Sequence, residues 1–329
     1  MDRRDFLQAA GAGVASVFLG SSANGNEGVA EKEFAIRRVE SDRFLIDFSP
    51  KSPRTLRILQ LTDTHFGSPD AESKEEDKRS FVEITQLVKV HKPDFIVHTG
   101  DFINNDGGPL VSFEAIDFLD DLGIPWTHAL GNHDIGTRPV SQFRKLMKNA
   151  SVGEFKGPTK TEFAFRFDIT QNGATDPAFS VFCFDSGAHS PDRRVSQPQI
   201  DWFDAEMKKD AKDGLKTPAL AMIHIPVVEF EKLRAGKKYD GNFGENVCYD
   251  DDKGDTFSAF KRSGRIKGVF SGHDHENDYH GLWEGIELVY GRVGGWSAYG
   301  DLPRGGRLIE IDLAKQSYSH ELAFHQAIS

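Results

Sequence analysis

The sequence predicts an α/β fold, specifically a four-layer α/β/β/α sandwich in which two packed mixed sheets are flanked by helices. Short apolar strands alternate with helical segments in the first half, as expected for parallel strands joined by crossover helices. Residues 162–169 and 179–184 then alternate apolar and polar side chains, which indicates strands of a second sheet. Clusters of Asp, Asn and His follow several strands, so a functional site is expected at the strand carboxyl ends.

The first half contains two successive strand–helix units. Residues 56–61 form a predicted buried strand, and residues 73–91 carry apolar side chains at helical spacing up to the Lys92-Pro93 step. The pattern continues with a strand at 95–99, a helix at 113–122 and a strand at 126–130. Each of these strands leads into a polar cluster.

The second half is predicted to complete both sheets. A helix is expected at 199–212, and strands are expected at 219–223, 266–270, 286–289 and 308–311. Residues 234–255 are rich in Gly, Lys, Tyr and Asp, which favours a long surface loop that could act as a lid near the site.

Length and composition limit the function classes. The 329 residues and 38% hydrophobic content fit one catalytic domain, assigned to 31–329. The net charge of −11 and the lack of a basic stripe exclude extended nucleic acid as a partner. No apolar run after residue 30 reaches the length of a membrane span, so the mature chain is expected to lack one.

Only two cysteines occur, Cys183 and Cys248. Without a CxxC pair the sequence excludes a cysteine zinc site or a disulfide-dense scaffold. A disulfide between the two stays open, although the apolar run around Cys183 favours a buried free thiol there.

The N-terminal segment, 1–30, has the features of a signal peptide and linker. Arg3 and Arg4 precede Phe6 and a weakly hydrophobic stretch at 9–20, which is typical of a twin-arginine signal. The alternative is an accidental arginine pair before a Sec signal or a signal anchor. We expect cleavage between Ala23 and Ala30, and a periplasmic or secreted protein exported by the bacterial twin-arginine machinery.

Five short polar clusters carry the candidate chemistry, each after an apolar strand. They are Asp63-Thr64-His65, Gly100-Asp101, Gly131-Asn132-His133-Asp134, His224 and Gly272-His273-Asp274-His275. Carboxylate and imidazole groups are ligands for zinc, manganese and iron. In an extended backbone, both side chains of an Asp-x-His or His-x-His pair point to one face. The clusters therefore predict a metal site, in which Asp274 supports the two ligands beside it.

The ordered set D-x-H, G-D, G-N-H-D, His and G-H-x-H resembles the calcineurin-like metallophosphoesterases. Sequence segments such as ILQLTDTHFG and FSGHDHENDYHG resemble those of short plant-type purple-acid-phosphatase-like proteins, and the resemblance covers roughly residues 54–300. It implies a metal-bridging Asp101, with Asp63, His65 and His275 on the first metal and Asn132, His224 and His273 on the second. It also implies that His133 protonates the leaving group and that Asp134 orients His133.

The resemblance implies hydrolysis of phosphate esters by a metal-bridging hydroxide, most simply of a small phosphorylated monoester. The alternatives are a phosphodiesterase acting on small diesters or nucleotides, and a non-catalytic metal-dependent scaffold. Two divalent or trivalent ions are expected, of iron, manganese or zinc. Purple acid phosphatases carry a tyrosine where this chain has Asn104, so a coloured ferric site is not expected. Asn105, Arg292 and Tyr299 are candidate substrate contacts.

Overall fold

The computed structural model describes residues 34–49, 55–67, 71–104, 109–134, 163–187 and 193–326. Its strands are Phe34–Glu40 (β1), Arg43–Phe48 (β2), Thr55–Leu61 (β3), Phe95–His98 (β4), Trp126–His128 (β5), Ala164–Gln171 (β6), Phe179–Phe184 (β7), Ala219–Met222 (β8), Ile266–Ser271 (β9), His280–Trp283 (β10), Ile286–Tyr290 (β11), Gly306–Asp312 (β12) and Ser317–Ala323 (β13). Its helices are Ala71–His91 (α1), Pro109–Asp121 (α2), Gln197–Lys212 (α3), Glu229–Ala235 (α4) and Asp255–Ser263 (α5).

The strands form two mixed sheets. The large sheet has the order β1-β2-β6-β7-β8-β9-β11-β10, and the small sheet has the order β13-β12-β3-β4-β5. Strands β3, β4 and β5 are parallel, and so are β7, β8, β9 and β11. Because parallel neighbours end at the same edge, the loops after these strands converge.

Apolar side chains fill the space between the sheets and beneath the helices. Between the sheets, the rings of Phe95 and Phe167 lie 5.2 Å apart. Helix α3 packs on the outer face of the large sheet, where the rings of Phe203 and Phe182 are also 5.2 Å apart. Helix α1 supplies buried Leu87 to the core on the small-sheet side. The predicted sandwich of two mixed sheets with flanking helices is confirmed.

Several elements differ from the sequence-based expectation. Strands β1, β10 and β13 and helices α4 and α5 were not predicted. Strand β13 is an edge strand in which mainly the last residue is buried, so it carries little hydrophobic signal. Residues 234–255 lack a long regular element, as predicted. They pack against residues 277–280 of the same chain through isolated β-bridges from Asp240 to His280 and from Phe243 to Asn277.

Two further predictions can be compared with the fold. Cys183 is buried and Cys248 is exposed, and both are free thiols, so the two cysteines do not pair. None of the helices in the described ranges is long and apolar enough to cross a membrane. The signal-peptide prediction for 1–30 lies outside the described residues.

Candidate metal centre

The loops that follow β3 and β4 are joined backbone to backbone. The amide of Asp63 donates to the carbonyl of Gly100 at 3.0 Å, and the amide of His65 donates to the carbonyl of Asp101 at 3.0 Å. Thus the first two polar clusters of the sequence form one unit at the edge of the small sheet. Their side chains are placed by main-chain bonds that no side-chain substitution removes directly.

Four residues of the polar clusters have left-handed backbone conformations. The φ angles are 52° at Asp63, 47° at His65, 49° at Asp101 and 83° at His273. Such conformations cost energy for residues other than glycine and persist where the surrounding structure enforces them, commonly at functional sites. Four of the predicted ligands thus adopt this conformation.

Gly131 allows the third cluster to approach the second. A Cβ atom at this position would lie 2.4 Å from Oδ1 of Asp101 and 2.5 Å from Cδ2 of His224. Any larger residue would therefore displace both side chains, which explains the glycine before Asn132.

The first ligand group consists of Asp63, His65 and His275, all buried, with ligand atoms within 4.8 Å of one another. Nε2 of His65 and Nε2 of His275 are 3.2 Å apart, and Nε2 of His275 is 3.4 Å from Oδ1 of Asp63. Two imidazole nitrogens and a carboxylate oxygen that converge in this way match the ligand set of a borderline divalent cation.

The second ligand group consists of Asp101, His224 and His273, again within 4.8 Å of one another. Nδ1 of His224 lies 2.8 Å from the carbonyl oxygen of Thr99, so the carbonyl accepts the Nδ1 proton. This contact leaves Nε2 of His224 facing Oδ2 of Asp101 at 3.1 Å. A metal-binding histidine usually has its other ring nitrogen held in this manner.

Asp101 lies between the two groups. Its Oδ2 is 3.1 Å from Nε2 of His224 and 3.6 Å from Nε2 of His65. Asn132, the remaining predicted ligand, has an Oδ1 atom that is buried without a hydrogen-bond partner. A buried amide oxygen in this condition is costly unless a ligand satisfies it. The residues present therefore fit a pair of cations that share Asp101.

Burial and charge set the protonation of these ligands. Burial lowers the pKa of His65 to about 4 and the pKa of His273 to about 4, so both rings are neutral near pH 7. Burial would also lower the pKa of His224, but Asp101 outweighs it and raises the value to about 10. For Asp101, burial is opposed by His224, and the pKa falls well below its ordinary value. Cation binding would replace the His224 proton.

His133 lies beside the first ligand group. Its ring centroid is 4.9 Å from that of His65, and its backbone amide donates to Oδ1 of Asp101 at 2.8 Å. Its Nδ1 is buried and has no hydrogen-bond partner. Within the described residues the Asp134 carboxylate bonds to backbone amides and not to this ring, so the structure does not support the predicted role of Asp134 in orienting it.

Asp134 instead connects two loops of the site. Oδ1 accepts from the backbone amides of Phe102 at 2.6 Å and Ile103 at 3.1 Å, and Oδ2 accepts from the amide of Gly131 at 2.7 Å. Asp134 thus fixes the loop of Asp101 against the loop of Asn132 and His133.

We expect Asp134→Ala to lower the free energy of unfolding by about 3 kcal/mol or more, because three buried amides lose their acceptor at roughly 1–3 kcal/mol each. Asp134→Asn keeps one oxygen and should fall between the alanine variant and wild type. Urea unfolding of the metal-free proteins measures the effect. An alanine variant as stable as wild type would contradict the assigned contacts.

The three candidate substrate contacts have different positions. Tyr299 lies at the site: its ring stacks on that of His275 with centroids 3.9 Å apart, and the side chain is largely exposed. Arg292 is buried and its Nη1 donates to Oδ2 of Asp278 at 2.7 Å, so this prediction is corrected to a buried ion pair. Asn105 lies outside the described residues.

Asp274 has the supporting position expected from the sequence. Its carboxylate accepts from the hydroxyl of Tyr290 at 2.5 Å and from the backbone amide of Cys248 at 3.2 Å.

Two residues near the site, Cys248 and Asp250, were not identified from sequence. Oδ2 of Asp250 lies 3.7 Å from Nε2 of His273. Cys248 and Asp250 belong to the irregular segment 234–255, whose sequence has no periodicity that could have placed them here.

Three comparisons bear on the identity of the chain. Residues 56–277 match the family model described as calcineurin-like phosphoesterase. Two Arabidopsis thaliana proteins named as probable inactive purple acid phosphatases, numbers 28 and 29, are also similar. Number 28 is 29% identical over 308 residues, which cover 79% of this chain and 76% of the relative. Number 29 is 26% identical over 309 residues, which cover 79% and 77%.

A solved structure supports the fold. A dimetal phosphatase from Danio rerio superposes with a TM-score of 0.54 at 11% identity, over 82% of this chain and 96% of the other. At this identity the likeness concerns the architecture alone.

Proposed function

The chain belongs to the calcineurin-like phosphoesterases, and we propose that it hydrolyses phosphate monoesters at two cations held by the two ligand groups. The coarser assignment, a hydrolase of phosphoric ester bonds, follows from the family. The observation that supports the proposal most directly is the position of Asp101, whose Oδ2 lies between His65 of the first group and His224 of the second.

A bound pair of cations would supply a hydroxide nucleophile near neutral pH and neutralise the phosphoryl oxygens. The ion identities, from among iron, manganese and zinc, belong to the proposal. The protein itself contributes positioning: Asp101 would hold the two positions together, and the buried Oδ1 of Asn132, which has no hydrogen-bond partner, is free to bind the second cation. The backbone bonds between the β3 and β4 loops keep the ligands in place before any ion binds.

His133 is assigned as the acid that protonates the leaving oxygen. Its backbone is fixed by the bond to Asp101, and the ring lies against His65. No protein group in the described residues accepts from its buried Nδ1, so the ring is not committed to a structural hydrogen bond there. A leaving-group acid needs such freedom to meet a substrate.

The rings of His133, His65, His275 and Tyr299 form a row along one wall of the site, with successive centroids 4.9, 5.0 and 3.9 Å apart. At the end opposite His133, the hydroxyl of Tyr299 donates to Glu245 at 2.8 Å. Hydrolysis of a monoester and of a diester each expels one leaving group, so this row does not separate them, and the substrate comparison below does.

A non-catalytic scaffold is the other class to consider, because the names of the two plant relatives describe inactive proteins. In this chain six of the seven predicted ligands converge in two groups within ligand distance. His133 is also in place. We therefore propose catalysis rather than binding alone.

We expect the metal-loaded protein to hydrolyse p-nitrophenyl phosphate and to show little activity on bis-p-nitrophenyl phosphate. The two substrates have the same leaving group and differ only in the second ester, so the comparison isolates the preference for monoesters. The reverse preference would replace the monoester assignment with a diesterase. Failure on both, in folded protein that holds metal, would favour the scaffold.

A further inference from the structure

Cys248, Asp250 and His273 form a third group of metal-ligating side chains, next to the second ligand group. Their ligand atoms all lie within 4.8 Å of one another. Sγ of Cys248 is 3.4 Å from Oδ1 of Asp250, and Oδ2 of Asp250 is 3.7 Å from Nε2 of His273. The carboxylate thus lies between the thiol and the imidazole.

The imidazole of this group is unsatisfied. Nε2 of His273 is buried and has no hydrogen-bond partner, and the 3.7 Å separation from Asp250 is too long for a hydrogen bond. A buried ring nitrogen without a partner needs an explanation, and a bound ion is one of the few available. His273 also belongs to the second ligand group, so an ion here and the second cation have to use different ring nitrogens of the same imidazole. Asp250, whose carboxylate faces this nitrogen, has a left-handed backbone conformation with a φ of 45°. This conformation is enforced by the surrounding chain.

The segment that carries the thiol is fixed to the loop of the metal ligands. The backbone amide of Cys248 donates to both oxygens of Asp274, at 3.2 Å each, and Asp274 lies between His273 and His275 in sequence. On the other side, Asp251 accepts from the amide of Arg193 at 2.9 Å. The side chain of Arg193 is mostly exposed and 3.7 Å from Asp250, so solvent screens its charge.

We propose that Cys248, Asp250 and His273 form an accessory cation position that takes a thiophilic divalent ion such as Zn²⁺ or Cd²⁺. Tetrahedral zinc has bonds of about 2.3 Å to sulfur and about 2.0–2.2 Å to nitrogen or oxygen, so its ligand atoms are roughly 3.3–3.8 Å apart. The sulfur–oxygen separation of 3.4 Å falls within this range, and the nitrogen–oxygen separation of 3.7 Å lies just above the roughly 3.3–3.6 Å of that pair. Water would complete the coordination.

Binding at this position needs no oxidant or reductant. The thiol of Cys248 loses its proton to solvent as the sulfur–metal bond forms, and the Asp250 carboxylate balances one charge of the cation. When the other ring nitrogen of His273 holds the second cation, Nε2 likewise releases its proton to solvent, and the imidazolate bridges the two ions. The absence of CxxC pairs excludes sites built from several cysteines. It does not exclude one thiolate combined with a carboxylate and an imidazole from distant loops.

The cluster of His280, Glu287 and His320 is a useful contrast, because its ligand atoms are also within 4.8 Å of one another. Here Arg307 approaches Nδ1 of His320 at 3.0 Å and can only donate, so Nε2 of His320 carries the proton and faces Glu287 at 3.2 Å. Glu287 also accepts from the Tyr318 hydroxyl. Hydrogen bonds satisfy this cluster without a cation.

The test uses the full chain loaded with Mn²⁺ and then titrated with Cd²⁺, monitored by the near-ultraviolet absorption of cadmium–thiolate bonds. We expect the band in wild type and its loss in Cys248→Ser. Cys183→Ala is the matched control and should keep the band, because Cys183 is buried in the core. In Asp250→Asn, half-saturation should shift to higher Cd²⁺.

Absence of the band from folded wild type, or an equal band in Cys248→Ser, would overturn the proposal. Cys248 is exposed, so the serine variant should fold, and its comparison with wild type is decisive even if Cys183→Ala does not fold. The band is read without substrate. Its absence and a failure of phosphoester hydrolysis are therefore separate results.

Discussion

Asp101→Asn is expected to abolish stable binding of the cation pair and to lower kcat/KM for p-nitrophenyl phosphate by about 10³-fold or more. The carboxylate links both ligand groups, and cations that stabilise transition-state charge contribute several kcal/mol. Asparagine keeps the shape but lacks the charge that balances two cations. Elemental analysis of the purified variant, together with steady-state kinetics, measures both effects.

Asp47→Asn is a suitable control, because Asp47 accepts hydrogen bonds from Thr170 and Gly173 at the far end of β2. This variant should keep wild-type metal content and kcat/KM. Two metals per chain and near-normal activity in Asp101→Asn would show that Asp101 does not join the two positions.

His133→Ala is expected to keep both cations but to lower kcat by about 10²–10⁴-fold for substrates with poor leaving groups. His133 belongs to neither ligand group, so metal content should not change. An acid matters most when the leaving oxygen is basic. The defect should therefore be small for p-nitrophenyl phosphate and large for alkyl phosphates.

The measurement is the ratio of wild-type to variant kcat across a series of monoesters with increasing leaving-group pKa. A ratio that stays constant along the series would contradict a proton-transfer role and leave His133 with a positioning role. Loss of metal in the variant would instead indicate that His133 supports the fold of the ligand loops.

The fold and the ligand set could be predicted largely because both depend on local patterns. Strands such as β3 and β4 are apolar runs, and each is followed directly by its ligands Asp63 or Asp101. Parallel neighbours bring these strand ends together, so order along the chain was enough to predict proximity. The structure brings Asp63, His65 and His275 together, and likewise Asp101, His224 and His273. Their role as metal ligands, and that of Asn132, stay predictions.

The roles of Asp134 and Arg292 could not be predicted in the same way. The sequence places Asp134 beside His133, but its acceptor bonds go to the amides of Phe102 and Ile103, about thirty residues earlier. Arg292 follows a strand, yet its side chain forms a buried ion pair with Asp278. In both cases a long-range hydrogen bond decides the orientation, and neighbouring sequence does not report it.

The third ligand group shows the same limit. Cys248 and Asp250 reach His273 through an irregular segment, held by the backbone bond from Cys248 to Asp274. Neither periodicity nor motif spacing connects these positions. The proximity follows from packing alone.

The most direct test of the central claim is the metal content of the wild-type protein, measured together with hydrolysis of p-nitrophenyl phosphate before and after removal of the metal by a chelator. We expect two cations per chain at the paired groups, activity in the loaded protein, and loss of activity on chelation that returns with added metal. Folded protein that binds no metal, or that hydrolyses the ester equally well after the metal is removed, would contradict it.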